Sequence, residues 1–194
     1  MRARDNPFRA ERIEALRFRF DGEDLAAVLA RFASMRHRGV LVGPRGSGKT
    51  SLREEIERAL AARGWRTRAF VLRDDAPLPA AEFARLLEDA GPRDLLGIDG
   101  LDRLPFPAWR RLRRAARRAG GILATSHLHG RLPVLYEHRT SPALLRELVT
   151  ELAGAPAAAF LADRCDRLFA LCRGDIRACL RALYDEAAEG RIPL

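Results

Sequence analysis

Val40-Leu41-Val42-Gly43-Pro44-Arg45-Gly46-Ser47-Gly48-Lys49-Thr50-Ser51-Leu52 is the stretch whose reading decides the fold. Its centre spells G-x-x-x-x-G-K-T, a spacing that wraps backbone amides around an anion. The apolar run at 40–42 is short enough for a buried strand. After the loop, Leu52, Ile56, Ala59 and Leu60 recur at helical spacing. The loop therefore lies between a strand and a helix N-terminus. Glycines there let the backbone approach a ligand without Cβ clashes. The loop amides and the first helical N–H groups then point at phosphate oxygens. In that geometry Lys49 reaches the β- and γ-phosphates and the Thr50 hydroxyl ligates Mg²⁺. Gly43, Pro44, Arg45, Gly46, Ser47, Gly48, Lys49, Thr50 and Ser51 form the candidate nucleotide-binding loop.

The rest of the chain sets the frame. Its 194 residues fit one domain, or one with a small appendage, and an apolar content of 47% is ample for a core. No apolar run is long enough to span a bilayer, and the basic start lacks a signal peptide's apolar segment. Three cysteines without a paired framework fit a reducing cytoplasm. The net charge of +9 favours polyanion partners such as nucleic acid. Lys49 is the single lysine, and arginine fills every other lysine-or-arginine position, which suits a coding bias as well as DNA binding. The remaining lysine stands where a compact ammonium on a flexible stem serves better than a planar guanidinium.

Strand and helix patterns alternate up to about residue 140. Residues 16–20 alternate and read as an extended piece. Asp21 to Asp24 cap a helix over 25–33. The helix after the loop runs to about 62, and Gly64 ends it. A strand follows over 69–72, a loop over 74–79, and a helix over 80–90. Strands at 94–99, 122–125 and 134–136 flank an arginine-rich helix over 107–119. The alternation predicts an α/β fold, a three-layer αβα sandwich with a parallel sheet covered on both faces. From Ser141 the pattern is purely helical, with helices over 142–152, 156–172 and 174–189. The expected division is a nucleotide-binding core with its N-terminal segment at 1–140 and a helical lid at 141–194.

Asp99 ends the apolar strand Asp94-Leu95-Leu96-Gly97-Ile98-Asp99. A carboxylate there sits beside the phosphate loop and holds the hydration shell of Mg²⁺, so Thr50 and Asp99 are the candidate metal ligands. At this point the chain resembles the AAA+ ATPases and their relatives over about residues 25–188. Gly43 to Thr50 matches their Walker A motif and Asp99 their Walker B motif. Ile122 to His127 is similar to the sensor 1 strand. Gly174-Asp175-Ile176-Arg177 is similar to the sensor 2 motif of origin-recognition and clamp-loader ATPases. The resemblance implies that Thr125 or Ser126 offers a hydrogen bond toward the attacking water or γ-phosphate, the alternative being a hydroxyl that caps the strand end. It implies that Arg177 bridges the lid to the phosphates. It also suggests Arg131, or its rival Arg139, as an arginine finger into a neighbouring subunit.

One departure matters. The family carries a glutamate directly after the Walker B aspartate, and here Gly100 stands there. Asp102 is the nearest acid. It either serves as the base for water or caps the next helix, and the Asp-Gly-Leu-Asp pattern is closer to KAP-type and signal-transduction relatives. His127 and His129 read as surface loop residues, since i, i+2 histidines without further ligands make a poor metal site. Arg110, Arg111, Arg113, Arg114, Arg117 and Arg118 form either a solvated helix face or a nucleic-acid contact. Cys165, Cys172 and Cys179 read as packing residues. The expectation is an ATP- and Mg²⁺-binding module that acts as a switch or helper with a protein partner or further copies of itself. The alternative is a nucleotide-binding scaffold with little turnover. A small-molecule P-loop kinase fits least, because such kinases insert a lid between core strands, whereas the helical section here follows the last strand.

Overall fold

The computed structural model describes residues 3–72 and 78–192. Asp74 to Pro77, most of the loop expected after the second strand, lie outside them. The chain divides into two compact units: Phe18–Gly43 with Gly48–His138, and Met1–Arg17 with Pro44–Ser47 and Arg139–Leu194.

The first unit is a five-stranded parallel sheet. In chain order its elements are α2 (Leu25–Ser34), β1 (Arg38–Val42), α3 (Lys49–Ala61), β2 (Arg66–Val71), α4 (Ala80–Leu87), β3 (Asp94–Asp99), α5 (Phe106–Ala115), β4 (Gly121–Ser126) and β5 (Val134–Glu137); the short α1 (Ala10–Glu14) precedes them in the other unit. The strand order is β2-β3-β4-β1-β5, every pair parallel. Parallel strands need helical crossovers, which bury both sheet faces. Alternation along each strand sorts side chains accordingly. Val40, Val42, Leu96, Ile98, Ile122 and Ala124 pack with Phe83 and Leu112 under α4 and α5. Leu41, Leu95 and Leu123 pack with Phe32, Leu52 and Ile56 under α2 and α3. Leu25 to Ser34 becomes helical because Asp24 accepts the Ala27 amide at 2.8 Å, satisfying one of the donors a helix start leaves open.

The second unit is helical: α6 (Pro142–Ala153), α7 (Ala155–Phe160), α8 (Ala162–Leu171) and α9 (Ile176–Ala188). Ser141 caps α6 by accepting the Leu144 amide at 3.1 Å, with Pro142 in the first turn, where its missing N–H costs nothing. Asp175 caps α9 by accepting from Ala178 at 3.0 Å. Leu145, Val149, Cys165, Cys179 and Leu183 form its core, joined by Phe8 and flanked by Ile13 and Leu16. The N-terminal segment thus packs into the helical unit. Buried Asn6 anchors it, donating to the Tyr184 carbonyl at 2.9 Å and accepting from the Phe8 amide at 3.0 Å.

Three expectations change. The helix over 156–172 is two helices broken at Leu161, whose φ of −89° and ψ of 2° leave helical geometry while its buried side chain stays in the core. The arginine-rich helix ends at Ala115, and a turn occupies residues 116–118. Residues 16–20 join no strand; Phe18 and Phe20 instead pack edge-on around Tyr136. Among the described residues no helix is long and apolar enough to cross a membrane.

Candidate functional site

In the sheet unit the chemistry collects where β1, β3 and β4 end. Parallel strands bring their carboxyl ends to one edge, and ligands in such folds bind just outside it. Gly48 takes the left-handed conformation at φ 82° to turn the loop into α3, and no side chain caps that helix. A helix start of this kind is where backbone amides can meet an anion. A Cβ on Gly48 would stand 3.1 Å from the Phe18 ring.

Lys49 is buried, and its ammonium donates to the Gly43 carbonyl at 2.8 Å. One residue on, the Thr50 hydroxyl donates to Asp99 Oδ2 at 3.2 Å. Asp99 Oδ1 accepts from the Thr125 hydroxyl at 2.5 Å, and the same hydroxyl oxygen accepts the Gly100 amide at 3.0 Å. Thr125 thus ties the end of β4 to the end of β3 and fixes the Asp99 rotamer. Two hard oxygens, from Thr50 and Asp99, lie side by side. That donor set suits Mg²⁺, which keeps several of its waters and takes few protein ligands. Among the described residues no group of three or more His, Cys, Asp or Glu side chains could hold a metal ion.

Ser126 closes a turn. Its hydroxyl donates to the Leu128 carbonyl at 2.6 Å and accepts the Leu128 amide at 3.0 Å. Asp102 accepts the His127 amide at 3.1 Å. Burial raises its carboxyl pKa, but hydrogen bonds from backbone amides, His127 first, outweigh that and hold it below the usual carboxylate range. Asp102 also lines a cavity of about 120 Å³ with Ser126, His129 and Arg131. Arg131 donates to the carbonyls of Leu101 and Leu104, at 2.9 and 2.6 Å, and lies 5.9 Å from the centre of the Trp109 ring. Its guanidinium is engaged with the turn after β3.

The residue missed from sequence is His127. Its Nδ1 lies 3.1 Å from the Gly43 carbonyl oxygen and 3.5 Å from the Lys49 ammonium. The cue was register. Val42 pairs with Ser126, so the residue after each strand end must lie abreast. Beneath α3, Arg53 pairs with Glu57 at 2.7 Å against the bare backbone of Gly97, where a Cβ would stand 2.9 Å from Glu57 Oε1.

In the helical unit, Pro44–Ser47 turns on itself, the Ser47 hydroxyl donating to the Pro44 carbonyl at 2.8 Å. Gly46, at φ 67°, lies against the start of α9: a Cβ there would meet Asp175 Oδ1 at 2.0 Å and the Arg177 amide nitrogen at 2.8 Å. The exposed side chain of Arg177 lines a groove of about 830 Å³ with Phe8, Ile13, Arg181 and Tyr184. No described hydrogen bond involves the Ser51 side chain, which lies half-buried in the first turn of α3. Cys165 and Cys179 are buried, and burial pushes their thiols up to about 11 and about 12. They are poor nucleophiles at neutral pH.

No protein-family model matches the chain, and no curated protein matches it in sequence. Solved structures do match. The Holliday junction branch migration motor RuvB of Thermotoga maritima superposes with a TM-score of 0.55 at 18% identity, over 82% of this chain and 60% of that one. A mutant of the same protein gives 0.57 at 19%, over 82% and 58%. NtrX from Brucella abortus in complex with ATP gives 0.50 at 16%, over 91% and 51%. The chain thus spans about three fifths of the RuvB chains and half of NtrX. These neighbours are AAA+ P-loop ATPases, and the fold described above is theirs.

Proposed function

We propose that this chain, built on the AAA+ P-loop fold, binds ATP with Mg²⁺ and serves as a nucleotide-dependent switch or helper in a larger assembly. One observation carries the reading: at the carboxyl edge of the sheet Thr50, Asp99 and Thr125 are joined by hydrogen bonds, and Lys49, next in sequence to Thr50, is held on the Gly43 carbonyl at the end of β1. The loop amides would cradle the phosphates and Lys49 would meet the β- and γ-oxygens. Thr50 and, through water, Asp99 would hold Mg²⁺. Held by these residues, the ion would offset the negative charge of the phosphates. Thr125 keeps Asp99 oriented toward that position. Arg177 is assigned to the phosphates on its motif alone, and Arg131 or Arg139 as a finger likewise. The assignment extends to a cytoplasmic protein that works with a protein partner or further copies of itself. Titration calorimetry of MgATP into wild type and Lys49→Ala tests the core reading. At least tenfold weaker binding by the variant supports it, and equal or absent binding by both refutes it.

A second reading, a nucleotide-binding scaffold with little hydrolysis, is favoured by Gly100 at the usual glutamate position. Asp102, the nearest acid, is occupied by the His127 amide and is a weakened base. Single-turnover hydrolysis by Asp102→Asn separates the two. A hundredfold fall marks Asp102 as the base, and an unchanged slow rate marks the scaffold. Light scattering with and without a non-hydrolysable ATP analogue, then with duplex DNA, tests assembly and nucleic-acid dependence together.

A further inference from the structure

We propose that His127 is a positioning residue for Lys49, the second hydrogen-bond donor on the Gly43 carbonyl that lets Lys49 move to phosphate. The inference rests on the nucleotide-binding reading above. Two nitrogens converge on one carbonyl oxygen: Lys49 Nζ at 2.8 Å and His127 Nδ1 at 3.1 Å. The oxygen has two lone pairs and can serve both. A carbonyl only accepts, so the shorter of the two His127 contacts assigns the proton to Nδ1. That assignment makes the 3.5 Å approach to the ammonium a meeting of two donors. The His127 backbone cannot drift away, because its amide is held by Asp102 at 3.1 Å and the preceding hydroxyl closes the 126–128 turn.

The consequence lies in the exchange that binding requires. In this structure Lys49 is held by the mouth of its own loop. To bind β- and γ-oxygens it must give up the Gly43 carbonyl. Without a second donor, that exchange strips a half-buried peptide oxygen of its partner beside a filled site, which costs affinity. With His127 in place the carbonyl stays satisfied, and the loop entrance keeps its shape while the ammonium moves. His127 thereby contributes to affinity without touching the nucleotide.

The test uses MgATP and MgADP titrations of wild type, His127→Ala, His127→Asn and His127→Gln, with urea midpoints to confirm that each folds. The Asn amide nitrogen stands where Nδ1 stands, whereas the Gln amide reaches one carbon further. The inference expects His127→Ala to bind both nucleotides about tenfold more weakly, equivalent to about 1.4 kcal/mol. His127→Asn should recover to within about threefold of wild type, and His127→Gln should stay weak. A merely structural histidine would not show this selective rescue. Equal affinity of wild type and His127→Ala, or of the Asn and Ala variants, overturns the inference alone. A wild type that binds neither nucleotide overturns the nucleotide reading and this inference with it.

Discussion

Replacing Thr125 with Val removes one oxygen and keeps the shape. Thr125 is 1% exposed, and its hydroxyl serves two partners, Asp99 Oδ1 and the Gly100 amide. The Gly100 amide is in a buried residue and has no route to water once the hydroxyl is gone. A buried donor left unmade costs about 1–3 kcal/mol. Asp99 keeps its bond to Thr50 and partial exposure, so losing the bond from Thr125 costs only part of the roughly 1.5–3 kcal/mol of a charge-assisted hydrogen bond. Together the loss is about 3 kcal/mol, or roughly 6–12 °C in Tm for a chain of this size. Thr125→Ser is the control. It keeps both polar contacts and gives up one buried methyl, about 1 kcal/mol. Urea unfolding followed by tryptophan fluorescence suits the measurement, because Trp65 and Trp109 both belong to the sheet unit and report on it alone. A Thr125→Val protein as stable as Thr125→Ser would refute the argument, since it would mean that neither hydrogen bond is worth its geometry.

The buried Arg53–Glu57 pair should behave asymmetrically. Either residue changed alone to Met should cost about 3–5 kcal/mol, while the double change should be neutral or stabilising by about 1–4 kcal/mol in the same unfolding assay; additive losses would contradict this. Asp102 carries a depressed pKa, so its contribution is complete above the unfolded carboxylate value of about 3.9 and is lost as pH falls through the lower folded value. The stability gap between wild type and Asp102→Asn should accordingly stay flat from pH 7 to about 4 and narrow below that, and a gap that narrows already at pH 6 would point to another group. Iodoacetamide at pH 7 should modify Cys172 first and reach Cys165 and Cys179 only in denaturant, as peptide mass spectrometry can read. If the exposed arginines of α5 meet duplex DNA, changing Arg110, Arg113 and Arg114 to Ala should flatten the slope of log K against log salt by about 2–3; an unchanged slope places the contact elsewhere.

The strand, loop and helix around Gly43 to Thr50 and the strand into Asp99 were legible because their signals are local. The Gly43 to Thr50 spacing, the apolar run into Asp99 and the helical period after Thr50 each lie within a dozen residues, and all three match the structure. What escaped depends on tertiary neighbours. Nothing in Phe8, Ile13 and Leu16 states which unit will bury them. Leu161 looks like any helical leucine until its place in the core bends the chain. The hydroxyls of Thr125 and Ser126 were indistinguishable in sequence, yet register turns one toward Asp99 and leaves the other to close a turn. His127 reads as a loop residue because its neighbour, the Gly43 carbonyl, comes from the end of the strand beside it.

That Lys49 is the only lysine gives the protein a built-in chemical reporter. An amine-acylating reagent has one side-chain target, buried and held against the Gly43 carbonyl. The mass increment on the peptide that carries Lys49, separated by peptide mapping from acylation of the α-amine, then measures how often that side chain swings into reach. Slower acylation with ligand present would track occupancy of the loop directly, with no dye, no engineered tag and no turnover needed.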